Sequence, residues 1–200
     1  NTKIEVKFGD LFAQDGYRAI AVSEFFESEL GIPVSEKSLH GLFLKKCFGG
    51  HPQSFDTILS SELHGIPGIY AGKQCGKTQK YPIGTTALVP LNNDHYLCFA
   101  LCETDISTCK AHADVPTLWL ALQGLWQKAR TSLGGAPLVL PLVGSGLSGV
   151  GLDAKELLDL IILSIIAETK RQQIATRICI VLAPDRFEEI DLRKTAGNWR

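Results

Sequence analysis

The run Leu138-Val-Leu-Pro-Leu-Val-Gly144-Ser145-Gly146-Leu147-Ser148-Gly149-Val150-Gly151 decides how this chain is read. An apolar strand enters a loop in which four glycines fall within eight residues, and a helix follows from about Asp153. Without a Cβ, glycine turns the backbone through φ > 0 and lets a ligand come close. Main-chain N–H groups in such a loop, beside a helix N-terminus, make a partly positive cradle suited to phosphate. The stretch predicts a strand–loop–helix unit of an α/β domain that binds a phosphate-bearing small molecule. Gly144-x-Gly146-x-x-Gly149 also has the letter spacing of a dinucleotide fingerprint. A Rossmann unit would open the fold and place an acid about 20 residues on. Here one strand remains, and Asp185 lies much too far along. A phosphate loop of another α/β fold, a true Rossmann site and a strand–helix turn without a ligand all remain open.

Outward from that loop, Asp153 with Glu156 reads as a capping box for a helix to about Arg171, and Ile178–Leu182 as the last strand before Pro184 and a polar tail. Upstream, Leu118, Leu122, Leu125, Trp126 and Ala129 have helical spacing within Pro116–Leu133, stopped by Gly134-Gly135. Gly84–Leu91 and Tyr96–Cys102 read as a hairpin about Asn92-Asn93-Asp94. Lys3–Phe8 alternates like a half-buried strand, and Ala19–Val22 is a short apolar one. Ser38 caps a helix through Cys47, Phe55–Leu63 forms another, Phe25–Lys37 is irregular, and the Gly- and Lys-rich Ala71–Tyr81 is a mobile loop. This order predicts an α/β fold: a central mixed sheet with helices on both faces.

A chain of 200 residues with net charge −1 supports one domain, 1–200, and disfavours a dedicated nucleic-acid binder, which needs many cations. The six cysteines include no CxxC pair, which argues against a zinc ribbon and for reduced thiols in a cytoplasmic protein. His51, His64, His95 and His112 lack ligand spacing, so no metal is expected. There is no methionine, even at position 1, so the expectation is a domain excised from a longer chain. Leu157–Ala167 is apolar but too short and too interrupted by Asp159 and Ser164 to span a bilayer.

Gly9-Asp10 closes the first strand; Asp10 either accepts from an adenine amino group or caps a turn. Ser38, Leu39, His40 and Gly41 are either a second phosphate edge, with His40 as donor, or a plain helix start with a surface histidine. Ser145 and Ser148 do not complete the Gly-x-Ser-x-Gly elbow of a serine hydrolase, and no catalytic residue is assigned.

Three of these features together resemble the macro domain, an ADP-ribose-binding three-layer α/β/α fold. They are the strand followed by Gly9-Asp10-Leu11-Phe12, the strand ending Ala21-Val-Ser23-Glu24-Phe25-Phe26, and the loop Pro141-Leu-Val-Gly144-Ser-Gly146-Leu-Ser-Gly149. The resemblance implies that Asp10 and the Leu11 amide take adenine. It implies that Gly144, Ser145, Gly146, Leu147, Ser148, Gly149 and Val150 wrap the diphosphate and far ribose, and that Arg186 or Phe187 covers adenine. Ser23-Glu-Phe-Phe with Val34-Ser-Glu-Lys-Ser38-Leu-His40-Gly41-Leu-Phe43 is similar, more narrowly, to the divergent macro domain of Thoeris antiviral effectors of the membrane-linked type. That likeness covers nearly the whole chain. It implies a cytoplasmic sensor of an NAD-derived signal made by a TIR enzyme, a histidine-conjugated ADP-ribose in that type. It also implies an N-terminal effector region and association into a homo-oligomer on activation, with no other cofactor. Hydrolytic macro domains carry an asparagine where Ser23 and Glu24 stand, and a glycine run where Ser38-Leu-His-Gly41 stands. The departure points to binding without turnover; ADP-ribosyl hydrolysis and passive reading of ADP-ribosylated proteins are the alternatives.

Overall fold

The computed structural model describes residues 2–146 and 149–199, with the side chain of residue 198 left aside. In chain order the elements are β1 (Lys3–Phe8), β2 (Tyr17–Ser23), α1 (Leu39–Phe48), α2 (Pro52–Glu62), β3 (Ile69–Tyr70), β4 (Gln79–Lys80), β5 (Thr86–Leu91), β6 (Asp94–Thr104), β7 (Ala111–His112), α3 (Val115–Ser132), β8 (Leu138–Pro141), α4 (Ala154–Arg171), β9 (Arg177–Leu182) and α5 (Leu192–Asn198). Among the described residues the main sheet runs β1-β9-β8-β2-β6-β5, with β7 pairing β6 beyond that path. The first five of those strands are mutually parallel, and β5 closes the edge as the antiparallel hairpin partner of β6.

Strand alternation divides the apolar residues between two cores. On β6, Leu97, Phe99 and Leu101 pack with α3 and α4 around Leu118, Leu122, Trp126, Leu158 and Ile161. Tyr96, Cys98 and Ala100 face the other way, onto Phe43, Phe48, Phe55 and Leu59 of α1 and α2. Residues two apart share a face and neighbours do not, so one strand supplies both layers. The result is helices on both faces of a mixed sheet, as the sequence pattern predicts. Local caps agree with it: Asp153 and Glu156 form a reciprocal capping box at α4, and Ser38 accepts from the Gly41 N–H at α1.

Two expectations are overturned. Ala71–Tyr81 is not a loose loop. Lys73, fully enclosed, pairs with the enclosed carboxylate of Glu27 and lies 4.2 Å from the Phe25 ring centroid, while the Lys77 N–H donates to the same carboxylate at 3.0 Å. Burial of two opposite charges is tolerated because each answers the other. The cysteines are not all thiols: Cys75 and Cys109 form a disulfide, brought together because the 71–81 segment and the end of β6 pack on the same side. The polar tail follows Pro184, as the sequence pattern predicts. It holds the short α5, started by the Asp191 carboxylate, which accepts from the Arg193 N–H.

Gly124 shows how tightly α3 lies on the sheet margin: a Cβ there would sit 2.0 Å from the Gly84 carbonyl oxygen. Phe43 is enclosed with ring centroids of Tyr96 at 4.8 Å, Phe48 at 5.5 Å and Phe55 at 5.7 Å. Urea unfolding of Phe43→Ala will show a loss of about 3–5 kcal/mol, the usual cost of an emptied aromatic site; a loss under about 1 kcal/mol would mean that this core is loosely packed. Lys73→Met, which strands the Glu27 carboxylate, will cost about 3–5 kcal/mol by the same measurement. A neutral result would show that the 71–81 segment is not anchored there.

Candidate functional site

The parallel run fixes where a site can form. The carboxyl ends of β1, β9, β8, β2 and β6 lie along one sheet edge, the customary place for a ligand in an α/β fold. A cleft of about 1250 Å³ opens there. Its floor and walls include Asp10 after β1, Arg186 after β9, Gly144 to Gly146 after β8, Ser23 at the end of β2, and Ser38 to His40 at the start of α1. Residues far apart in sequence and singled out one at a time thus meet in one cavity.

Two edges of the cleft present uncommitted main-chain donors. At the first turn of α1, Ser38 Oγ accepts from Gly41 N–H at 3.0 Å and donates to the Ser35 carbonyl at 2.7 Å. That leaves the amides of Leu39 and His40 without a partner among the described residues, at the positive end of a ten-residue helix. The second edge is the glycine loop. Gly144 has φ +88° and its carbonyl accepts from Val150 N–H at 3.1 Å, while Ser145 Oγ turns back to the Leu142 carbonyl at 2.7 Å. The amides of Ser145 and Gly146 keep no partner among the described residues. The N-terminus of α4 contributes less than its place suggests, because its own capping box occupies the Asp153 and Glu156 N–H groups.

Each side chain at the cleft has an identifiable task. Asp10 Oδ1 accepts from Phe12 N–H at 2.9 Å and caps a short 3-10 turn, Leu11–Ala13; Oδ2 lies 3.5 Å from Lys46 Nζ. Leu11 is buried beside it. Arg186 Nη2 donates to the Ser145 carbonyl at 3.3 Å and Nη1 pairs with Glu189 at 2.8 Å, so it braces the glycine loop from the β9 side. Ser23 follows a register shift in the β2–β6 ladder, and its buried Oγ has no partner among the described residues. A bulge of that kind re-aims a strand-end side chain.

His40 is not a surface histidine. The residue is 8% exposed, its ring lies 6.3 Å from that of Phe55, and Nε2 has no partner among the described residues. Burial, with the charge of Lys77 next, pushes its pKa down to about 3, so the ring is neutral. At the cleft edge its main-chain N–H is also uncommitted among the described residues. Gly41 has a packing reason: a Cβ would lie 2.2 Å from the Ser35 carbonyl oxygen, so glycine lets the 31–38 segment cross the start of α1.

Other candidates stand apart. Glu24 is buried away from the cleft, with Oε1 accepting from Thr104 N–H at 3.4 Å and Oε2 3.6 Å from Lys80 Nζ. It ties the ends of β2 and β6. Phe187 is 71% exposed and packs its ring 5.3 Å from that of Phe8. Val150 is buried under Gly144, and Gly149 lines a shallower recess beside α4. Leu147 and Ser148 lie outside the described residues. Sequence reading missed Phe12 and Lys46, whose ammonium lies 4.6 Å from the Phe12 ring centroid, and Glu27, Gly31 to Ser35 and Thr108 to Ala111, all on the cleft. Only the Phe25–Lys37 irregularity hinted at any of them. Among the described residues no cluster of three or more His, Cys, Asp or Glu side chains could hold a metal, and no helix is long and apolar enough to cross a membrane.

Solved structures of the same architecture include the macrodomain of Thermus aquaticus DarG. It has a TM-score of 0.57 at 14% identity, over 90% of this chain and 99% of that one. The Oceanobacillus iheyensis macrodomain with ADP has a TM-score of 0.62 at 12% identity, over 98% and 92% of the two chains. At such identities the likeness establishes the fold, a macrodomain fold. No curated protein matches the sequence significantly. The model of the family described as Thoeris protein ThsA, Macro domain, matches residues 4–183. With nine-tenths of its length in that match and the cleft where the macro fold forms its strand ends, the chain belongs to the ThsA macro-domain family.

Proposed function

We propose that this domain binds an NAD-derived ADP-ribose-type nucleotide as a signal and does not turn it over. The observation that carries the reading is the pair of uncommitted amide edges, Leu39–His40 and Ser145–Gly146, on one cleft at the carboxyl ends of parallel strands. A diphosphate is the group such edges serve best, since it is anionic and rich in acceptors. Asp10 and the Leu11 amide, at the β1 end, then take adenine, with Arg186 bracing the diphosphate loop. The macrodomain fold of the ADP-bound Oceanobacillus iheyensis protein supports the same ligand class.

Binding without hydrolysis is favoured by the state of the acids. Among the described residues, the carboxylates on the cleft are Asp10 and Glu27. Asp10 caps its own turn, and Glu27 is held by Lys73 and the Lys77 N–H. Neither is placed as a free base. The family match supports the wider reading: the nucleotide is made by a TIR enzyme, carries histidine or a similar group on its far ribose, and activates an antiviral effector region N-terminal to this domain. In that reading the domain is cytoplasmic, and protomers associate on activation because the ligand prefers the associated state.

Isothermal calorimetry with ADP-ribose and with histidine-conjugated ADP-ribose will give saturable heat, and Gly146→Asp will weaken it by about tenfold or more with an unchanged melting temperature. A Cβ at Gly146 meets no atom within 4 Å, so this variant adds charge without crowding the fold. No heat from either nucleotide, with no thermal shift, would defeat the proposal, and release of free ADP-ribose from an ADP-ribosylated protein at catalytic rates would favour hydrolysis. Neutral His40 sets a pH signature of stability. Its folded pKa of about 3 lies below the ordinary 6.5, so as pH falls through that window the unfolded chain takes up the proton first. The contribution of this residue is constant above pH 6.5 and is lost on acidification at up to about 1.4 kcal/mol per pH unit. Urea unfolding between pH 7 and pH 4.5 will show a shallower decline for His40→Gln than for the parent; equal slopes would mean that the imidazole is solvated.

A further inference from the structure

The end of the cleft farthest from Asp10 has a built wall. Four inter-strand steps, about 19 Å at about 4.8 Å each, separate the end of β1 from the end of β6. There β6 and β7 continue as a small hairpin, with Glu103 opposite His112 and Thr104 opposite Ala111. Thr108, Cys109, Lys110 and Ala111 of this hairpin line the cleft. Its tip is organised by one carboxylate oxygen: Asp105 Oδ1 accepts from the Ser107 and Thr108 N–H groups at 2.9 and 2.7 Å and from their hydroxyls at 2.6 and 3.0 Å. These bonds draw the Asp105 carboxyl down to about 2, so it stays ionised.

The hairpin is short and largely exposed; the Glu24 carboxylate holds its base through the Thr104 N–H, and the Cys75–Cys109 disulfide ties its far arm to the body. Cys75 belongs to the segment locked by Glu27 through Lys73 and Lys77, and Glu27 lines the same cleft. A covalent and ionic strut therefore runs from the cleft floor, through the 71–81 segment, to the far wall.

We propose that this disulfide-pinned hairpin is the specificity wall for what the nucleotide carries beyond its diphosphate, and that the thiol–disulfide state of Cys75 and Cys109 tunes binding of the far ribose while leaving the adenine and diphosphate end unchanged. The inference rests on the nucleotide reading above. A pinned wall is pre-organised, whereas a released one must be ordered by the ligand, which lowers affinity for contacts at that end alone. Both cysteines are half-buried, within reach of a small reductant. The step is a two-electron exchange: a dithiol gives up two electrons and two protons, the Cys75–Cys109 S–S bond breaks to two thiols, and the dithiol closes to its own disulfide. Cys47, Cys98, Cys102 and Cys179 already carry thiols and take no part. In a cytoplasmic protein such a disulfide is the redox-responsive kind rather than a permanent staple.

The test compares two probes by calorimetry: ADP, which stops at the diphosphate, and ADP-ribose, which continues to the far ribose. Each is measured on oxidised protein, on protein treated with dithiothreitol, and on Cys75→Ser/Cys109→Ser, with melting temperature confirming the fold. The expected result is a loss of about tenfold for ADP-ribose in both the reduced protein and the double variant, with ADP affinity unchanged within about twofold. An unchanged ratio of the two affinities, or a parallel fall in both, would overturn the inference while the nucleotide reading stands. Should oxidised protein bind neither probe, that reading fails and this one with it. If the double variant does not fold, the dithiothreitol arm decides alone.

Discussion

The parallel alignment of β1, β9, β8, β2 and β6 is the constraint on which the rest depends. It brings five strand ends to one edge, and each end delivers a different kind of group: a carboxylate after β1, a guanidinium after β9, bare amides after β8, a hydroxyl at β2 and a pinned hairpin after β6. The two helical layers keep that edge rigid, because residues on alternate sides of β6 sit in separate cores. Removing the alignment would leave these groups scattered.

Given that edge, the proposed reading rests on main-chain nitrogen more than on side-chain charge. Of the cations lining the cleft, Lys46 is engaged with Asp10 and Arg186 with Glu189 and the Ser145 carbonyl, while Lys37 and Lys110 stand at its margin. An amide edge differs from a lysine cluster. It has fixed geometry, and its recognition is set by shape as much as by charge. This suits a chain with net charge −1 that is read as sensing one small anion rather than a polyanion.

Much of this was legible in the sequence, for a physical reason. The glycine loop, the Ser38 and Asp153 caps, the Asn92–Asp94 turn and the strand alternation are local, and local backbone chemistry is written in adjacent residues. What remained hidden depends on contacts between distant segments. The Glu27–Lys73 pair spans 46 residues and reads in sequence as two ordinary surface charges. The neutral, buried state of His40 comes from enclosure beside Phe55 and the nearby charge of Lys77, which no helix pattern announces. Cys75 and Cys109 lie 34 residues apart in polar stretches, and compartment reasoning pointed to thiols. Asp10 admitted two readings from sequence; the capping contact is in place, and the cleft position keeps the second reading physically available.

The central claim, that uncommitted amides grip the diphosphate, is tested most directly by two-dimensional 15N–1H NMR during titration with ADP-ribose. The account predicts that the N–H resonances of Leu39, His40, Ser145 and Gly146 shift together and most strongly, saturating at a common dissociation constant. Large shifts confined to other surfaces, with these four unmoved at saturation, would contradict it.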